Sequence, residues 1–126
     1  MKKVLETPNA PKSVGTYNQA IESNNFIFTS GQVGIDPASN KLVKGGLENE
    51  INQALKNLDF ILKDSNLSRS HIIKLTVFLV DLNQFATVNE AFKIFFGRIK
   101  FPARSTVEVS KLPLGANVEI ECIASR

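Results

Sequence analysis

The C-terminal part of the chain places ionisable side chains in segments that otherwise have the composition of β-strands. Residues 101–121 read FPARSTVEVSKLPLGANVEIE, in which Arg104, Glu119 and Glu121 stand among valines and isoleucines. An arginine offers a planar fork of N–H donors that fits a carboxylate, and a glutamate can accept a proton from water. Side chains of these types could bind a small organic anion and promote its hydrolysis.

Strand alternation predicts which of these side chains share a face of the sheet. Because successive side chains point to opposite sides, we assign Arg104 and Thr106 to one face and Val107 to the other, under the helices. The same rule in NVEIECIAS places Glu119 and Glu121 on the face that the helices leave uncovered. Periodicity alone leaves two explanations open. The charges could form a solvated polar face or ion pairs across a seam, or they could form an anion site with a nearby carboxylate.

The spacing of these two strands limits how Arg104 and Glu119 could meet. If the strands paired directly as a hairpin, the two residues would lie roughly 16 Å apart at the usual rise per residue. That separation is too large for one small substrate. A shared site therefore requires either a strand between the two or a neighbouring subunit.

Length, composition and charge narrow the classes of protein. A chain of 126 residues predicts one domain spanning residues 1–126. The net charge is +3, and the basic residues are scattered, so no nucleic-acid footprint is indicated. Cys122 and His71 are each the only residue of their type, which predicts no internal disulfide and no zinc site unless carboxylates or another chain supply the remaining ligands. The absence of a long apolar run predicts a cytoplasmic protein without membrane association.

Hydrophobic periodicity predicts the element order β-β-α-β-α-β-β. QAIES and NNFIFTSG form the first strand pair, one helix begins at Leu47, and a second lies between Asp81 and Gly97. The strand HIIKLTVFLV is apolar on both sides and is predicted to be central. Two helices and one sheet predict a two-layer α+β sandwich with the helices on one face. The bare face predicts self-association.

Several blocks together resemble the Rid family, the reactive-intermediate (enamine/imine) deaminases, also called YjgF-like proteins. The blocks are NAPKSVGTYNQAI, FTSGQVGIDP, KLTVFLVDLNQFATVNEAF and PARSTVEVSKLPLGANVEIE. The resemblance implies a chorismate-mutase-like fold, a homotrimer, and sites between subunits. It also implies hydrolysis of 2-imino acids to 2-keto acids and ammonia without a metal or organic cofactor.

The resemblance also implies roles for particular residues. Arg104 matches the arginine that pairs with the substrate carboxylate, and Glu119 matches the residue that positions or activates the water. The implied pocket-lining residues are Tyr17, Ser30, Gly31, Asn89 and Thr106. Two positions depart from the family pattern, because Thr106 stands where many members have cysteine and Thr16 where many have proline.

Two other functions stay open at this level. The older family name suggests a ribonuclease or translation inhibitor, although one histidine and scattered basic residues give RNA cleavage little support. A trimer that binds a small carboxylate and acts as a regulatory or chaperone module would also need Arg104. In that case Glu119 would not be needed for affinity.

Overall fold

The computed structural model describes all 126 residues and contains two α-helices and two sheets. In chain order the elements are β1 (Lys3–Leu5), β2 (Ala20–Ser23), β3 (Phe26–Thr29), β4 (Ile35–Asp36), β5 (Lys41–Leu42), α1 (Leu47–Asp64), β6 (Ile72–Leu79), α2 (Phe85–Phe96), β7 (Ala103–Glu108) and β8 (Val118–Ser125). The main sheet has the strand order β1-β2-β3-β8-β6-β7, and β4 pairs with β5 in a separate ribbon. The predicted order is confirmed, with β1 and the β4–β5 ribbon added to it.

Helix α1 forms because its apolar residues recur on one face and its charges suit the helix ends. Glu48 and Glu50 lie in the first turn and Lys63 in the last, where each complements the helix dipole. The apolar face is almost completely removed from solvent at Leu55 and Leu58. Burial of this stripe against the sheet stabilises the helix more than its intrinsic propensity does.

Helix α2 begins at Phe85, after a short turn that the predicted cap Asp81 starts, and it ends at the predicted Gly97. The Asp81 side chain accepts a hydrogen bond from the Asn83 backbone N–H and caps a single 3-10 turn that leads into α2. Gly97 ends the helix in a left-handed conformation, with φ of +56°. Its buried stripe includes Val88, Phe92 and Phe96.

Both helices pack against one face of the main sheet, so the predicted two-layer sandwich is confirmed. The hydrophobic core joins helix residues to alternate residues of β6 and β8, namely Leu75, Val77, Leu79, Val118, Ile120, Cys122 and Ala124. The opposite face, which we call the open face, carries Phe26 and Phe28, whose side chains are 40% and 45% exposed. An apolar sheet face of this kind is a candidate surface for association.

The last two strands are not a hairpin. β6 lies between them and pairs in parallel with β7 and antiparallel with β8, which makes the sheet mixed. β6 is therefore an inner strand, as its apolar composition predicted. The residues of β7 and β8 meet only through β6.

A β-bulge between Ile72 and Lys74 reverses one part of the predicted alternation. Strict alternation along HIIKLTVFLV predicts Ile73 on the same face as Leu75 and Val77, and Ile72 on the opposite face. The structure shows the reverse, with Ile72 5% exposed and Ile73 45% exposed. The extra residue of a bulge shifts the inside-outside pattern by one position, which the sequence pattern did not reveal.

The predicted face of Arg104 and Thr106 is wrong. Arg104 is aligned with Leu75 and Thr106 with Val77, and side chains of aligned residues share a face of the sheet. Since Leu75 and Val77 belong to the core, Arg104 and Thr106 point toward the helices. Val107 instead lies on the open face and is 42% exposed. The prediction failed because the open face is itself apolar, so a valine does not identify the core side of the strand.

The predicted face of the two glutamates of β8 is confirmed. Glu119 is aligned with Phe78 and Glu121 with Thr76, on the side away from the helices. Their neighbours in β8, such as Ile120, are buried in the core. Arg104 and Glu119 therefore lie on opposite faces of the same sheet.

Candidate functional site

Arg104 is held on edge strand β7 by contacts with α2. Its Nη2 donates a hydrogen bond of 2.8 Å to Asn89 Oδ1. The guanidinium carbon lies 5.1 Å from the ring centre of Phe85 and 5.2 Å from that of Phe92. Arg104 takes part in none of the four ion pairs of the chain. The aromatic rings and the amide orient the guanidinium and leave N–H donors available to an anion.

A pocket of about 540 Å³ opens beside Arg104. Its walls include Asn89, Phe92, Phe101 and Pro102. Burial lowers the pKa of Arg104 from its ordinary value. Because that ordinary value is far above neutrality, the side chain remains a cation. Glu90 and Lys93 also line the pocket and pair with each other at 3.1 Å. Arg104 makes no ion pair, and beside the apolar residues of this wall it suits a small organic anion with a short apolar tail.

Thr106 and Asn89 both belong to the environment of Arg104, in different ways. The Asn89 side chain accepts a hydrogen bond from the guanidinium directly. Thr106 follows Arg104 by two residues on the same face, and its hydroxyl is buried without a hydrogen-bond partner. The hydroxyl lies outside the walls of the pocket.

Glu119 lines a second pocket, of about 370 Å³, on the open face. Tyr17, Gly31 and Leu114 also line it. A Cβ atom at Gly31 would lie 2.7 Å from Glu119 Cδ and 2.9 Å from its Oε2, so a larger residue there would displace the Glu119 side chain. The glycine lets the carboxylate lie directly against the backbone.

The environment of Glu119 makes it a stronger base than an ordinary glutamate. Burial raises the pKa of Glu119, and the nearby charge of Glu121 raises it further. A carboxylate with a raised pKa is a better acceptor for a proton from water at neutral pH. The group therefore has the electrostatic character of a general base.

Tyr17 and Ser30 have different relations to the second pocket. Tyr17 is half-exposed at its wall, and its hydroxyl accepts a hydrogen bond of 3.2 Å from the Val14 backbone N–H. The Ser30 hydroxyl donates to the Asn18 carbonyl, and its backbone N–H donates to the Gln19 carbonyl at 2.8 Å. Ser30 thus fixes the end of β3 beside Gly31 rather than lining the pocket.

Within one chain the predicted residues form two separate half-sites. The arginine half-site consists of Arg104, Asn89, Phe85 and Phe92. The carboxylate half-site consists of Glu119, Tyr17, Gly31 and Leu114. In β6, Leu75 is aligned with Arg104 of β7 and with Cys122 of β8. Glu119 lies three residues before Cys122 along β8. That offset is about 10 Å along the strands and about 10 Å across two strand spacings, with the sheet between.

Several residues of these half-sites were not predicted from the sequence. From the sequence alone, Phe85 and Phe92 are predicted only to lie on the apolar side of the second helix. Asn89 lies four residues after Phe85 and three residues before Phe92, so all three lie on one side of the helix. This spacing is the sequence signal that could have identified them as a group that contacts one partner. Leu114, in a turn with φ of +60°, gave no recognisable signal.

The remaining reactive side chains do not add to either half-site. Cys122 is buried, and burial raises the pKa of its thiol to about 12. His71 accepts a hydrogen bond of 3.0 Å at Nδ1 from the Ser68 backbone N–H, as part of a helix cap. No group of three or more metal-ligating side chains occurs in the chain. Neither helix is long and apolar enough to cross a membrane.

Comparison with known proteins identifies the family. The model of the family described as endoribonuclease L-PSP matches residues 7–126. The mouse protein named 2-iminobutanoate/2-iminopropanoate deaminase is 47% identical over 124 residues, which cover 98% of this chain and 91% of the mouse protein.

Solved structures agree with this match over the whole fold. The crystal structure of YyfA, a Rid-family protein of Yersinia pestis, has a TM-score of 0.97 and 44% identity, with complete coverage of both chains. That of Escherichia coli TdcF with bound serine has a TM-score of 0.93 and 39% identity, covering 98% of each chain. Sequence and fold agree from end to end, and the chain belongs to the Rid (YjgF-like, endoribonuclease L-PSP) family.

Proposed function

We propose that this protein is a deaminase that hydrolyses 2-imino acids, and the enamines in equilibrium with them, to 2-keto acids and ammonia. The observation that carries the proposal is the unpaired Arg104 guanidinium beside a pocket. The 47% identity to the mouse 2-iminobutanoate/2-iminopropanoate deaminase supports this substrate class. The single cysteine suits a reducing compartment, so we place the reaction in the cytoplasm.

Arg104 binds the carboxylate of the substrate in this proposal. Its guanidinium can form a bidentate, charge-assisted pair with the two carboxylate oxygens. The neighbouring apolar walls, which include Phe92 and Phe101, suit the short alkyl chain of 2-iminopropanoate or 2-iminobutanoate. The serine bound to TdcF has an α-carboxylate next to a carbon–nitrogen bond, as do these imines.

The complete site is formed by two copies of the chain, which we propose assemble as a homotrimer. Arg104 and Glu119 lie on opposite faces of one sheet, so one small substrate cannot contact both within a single chain. The open face that carries Glu119 also carries Phe26, Phe28 and Val107, each at least 40% exposed. Packing that face against another copy would bury this apolar surface and bring the partner's arginine half-site to the carboxylate half-site.

The reaction proceeds by addition of water and loss of ammonia. Glu119 accepts a proton from water as the oxygen forms a bond to the carbon of the protonated C=N group. The tetrahedral product carries a hydroxyl and an amino group on that carbon. Glu119 returns its proton to the nitrogen, the C–N bond breaks with its electron pair on nitrogen, and the hydroxyl proton leaves with ammonia as ammonium.

This chemistry requires no cofactor. A protonated imine carbon is already electrophilic, so the barrier is lowered chiefly by placing water and substrate in the right geometry. Arg104 supplies the orientation of the substrate and Glu119 that of the water. Raising the pKa of Glu119 by burial assists the proton transfer.

RNA cleavage is a second activity suggested by the description of the family model. His71 is poorly placed to act as the catalytic base for RNA cleavage, because its Nδ1 already accepts a hydrogen bond from the Ser68 backbone N–H. If the chain cleaves RNA at the proposed site, replacing Arg104 with alanine must reduce cleavage. Equal cleavage by both proteins would assign the activity to another site or to a contaminant.

Replacing Arg104 with alanine is expected to lower kcat/KM for imine hydrolysis by about a hundredfold, because two hydrogen bonds between charged groups are lost. The assay measures keto-acid release from imines that an amino-acid oxidase generates, after subtraction of the rate in buffer. The matched control is Arg98→Ala, which removes an exposed arginine from the loop after α2 and should leave the rate unchanged. Parental activity in Arg104→Ala would contradict the proposal.

Glu119→Gln separates a deaminase from a binding module. It should lower kcat by about a hundredfold, within the usual range for removing a general base, while the dissociation constant for a 2-keto acid changes little. Turnover and calorimetric titration with 2-ketobutyrate measure the two quantities. A parent chain that binds the keto acid but does not accelerate imine hydrolysis over buffer would instead identify a carboxylate-binding module.

Glu121→Gln should move the acid limb of the pH–rate profile to lower pH. The rate requires ionised Glu119, so it rises as pH increases through the pKa of that group. Burial and the Glu121 charge hold this pKa above the ordinary value, and removing the charge lowers it again. Values of kcat/KM measured across the acid range test this, with Glu48→Gln, on the first turn of α1, as the control. A limb that stays in place or moves to higher pH would show that Glu121 does not act on Glu119.

A further inference from the structure

A buried carboxylate outside both half-sites is joined to the segment that carries Glu119. Glu50 is 2% exposed on α1 and lines neither pocket. We infer that Glu50 is a positioning residue, which fixes Asn117 and thereby holds Glu119 in the orientation that activates water. The inference rests on the proposed function and extends it to a residue that touches no substrate.

The contacts of Glu50 are concentrated on one distant residue. Oε1 accepts a hydrogen bond of 2.8 Å from the Asn117 backbone N–H, and Oε2 accepts one of 2.6 Å from Asn117 Nδ2. None of the four ion pairs includes Glu50. A buried carboxylate without a cation is costly, and these two bonds offset that cost only while Asn117 keeps its place.

Asn117 lies directly before β8, between the strand that carries Glu119 and the turn that lines the Glu119 pocket. It precedes Glu119 by two residues, and its carbonyl accepts a hydrogen bond of 3.2 Å from the Val80 backbone N–H. The turn immediately before it contains Pro113 and Leu114, which line the pocket of Glu119. Fixing Asn117 therefore fixes both the start of β8 and one wall of the pocket.

The same face of α1 also holds the opposite wall. A Cβ atom on Gly34 would lie 2.7 Å from the Glu50 Cα atom, so this loop lies directly against the helix. Two turns further along α1, Asn57 Nδ2 donates to the Ile35 carbonyl at 2.9 Å and to the Val33 carbonyl at 3.4 Å. Val33 and Ile35 line the pocket of Glu119. Helix α1 thus sets the distance between the two walls.

A purely structural role for Glu50 predicts a different behaviour from a positioning role. If Glu50 only stabilises the fold, its loss lowers the melting temperature and the fraction of folded protein, and every folded molecule reacts normally. If Glu50 positions Glu119, folded molecules bind the keto acid normally but turn over slowly. The division of the effect between kcat and KM therefore distinguishes the two roles.

A reversed hydrogen-bond pair supplies the sharpest test. In Glu50→Gln, both hydrogen bonds to Asn117 can remain only if the Asn117 amide rotates by 180°, and both are then bonds between neutral groups. In the double variant Glu50→Gln with Asn117→Asp, the new amide donates to the new carboxylate, and the backbone N–H of residue 117 still has its acceptor. The double variant keeps the net charge and both hydrogen bonds. Glu48→Gln, at the exposed first turn of α1, is the matched control.

Glu50→Gln should lower kcat for imine hydrolysis about tenfold, because hydrogen bonds to a charged group become weaker bonds between neutral groups and hold Asn117 less firmly. KM and the dissociation constant for 2-ketobutyrate should stay within about twofold, since Arg104 is untouched. The double variant should recover most of the lost kcat, and the control should match the parent. An unchanged kcat in the folded single variant, or a loss that the double variant does not restore, would overturn the inference.

If Glu50→Gln does not fold, a second variant, Asn117→Ala, keeps the backbone hydrogen bond to Glu50. It should show the same division of the effect between kcat and KM. An unchanged kcat in Asn117→Ala would overturn the inference equally.

A second readout does not depend on deaminase activity. The pKa of the Glu119 carboxyl, measured by NMR, should move toward its ordinary value in Glu50→Gln, because a loosened side chain gains contact with water. It should return to the parental value in the double variant. No movement in the single variant would overturn the inference. A parent without deaminase activity would remove the proposed function, while the NMR titration would still decide whether Glu50 positions Glu119.

Discussion

The main sheet separates the guanidinium of Arg104 from the carboxylate of Glu119, the two groups that the proposed chemistry needs. Arg104 lies on the helix side of edge strand β7, and Glu119 lies on the open side of β8, with β6 between them. No change of rotamer can take a side chain through a hydrogen-bonded sheet. In the proposed reaction the chain therefore carries two half-sites, and a second copy would complete each of them. This constraint connects the apolar open face, the edge position of Arg104 and the small size of the substrate.

Each half-site holds its ionisable group in a way that leaves it available. Arg104 is fixed by an amide and two aromatic rings, which orient the cation without neutralising it. Glu119 is set against the backbone of Gly31, and burial together with Glu121 raises its pKa. An unpaired, partly buried arginine and two adjacent glutamates both cost stability in the isolated chain. Such costs are typical of functional sites, where binding of substrate or of a partner offsets them.

The sequence predicted the features that follow from local periodicity and failed where long-range pairing decides. Helix α2 ends at Gly97 as predicted, and the predicted cap Asp81 starts the 3-10 turn that leads into this helix, because capping depends on neighbouring residues. The alternation of Glu119 and Glu121 with Ile120 identified their face, since a buried isoleucine lies between two charges. In β7 the same rule failed, because Val107 belongs to an apolar open face and Arg104 is covered by α2. The bulge after Ile72 and the insertion of β6 between β7 and β8 depend on strand pairing, which no short segment specifies.

Complementation between two inactive variants tests the shared site most directly. Arg104→Ala and Glu119→Gln chains, unfolded together and refolded at equal concentrations, should form mixed trimers in which some sites receive Arg104 from one chain and Glu119 from its neighbour. Independent assembly places both intact residues at about one quarter of the sites, so about one quarter of the parental activity should return. Activity no greater than the sum of the two separate variants, in oligomers that mass spectrometry shows to be mixed, would contradict a site built from two chains.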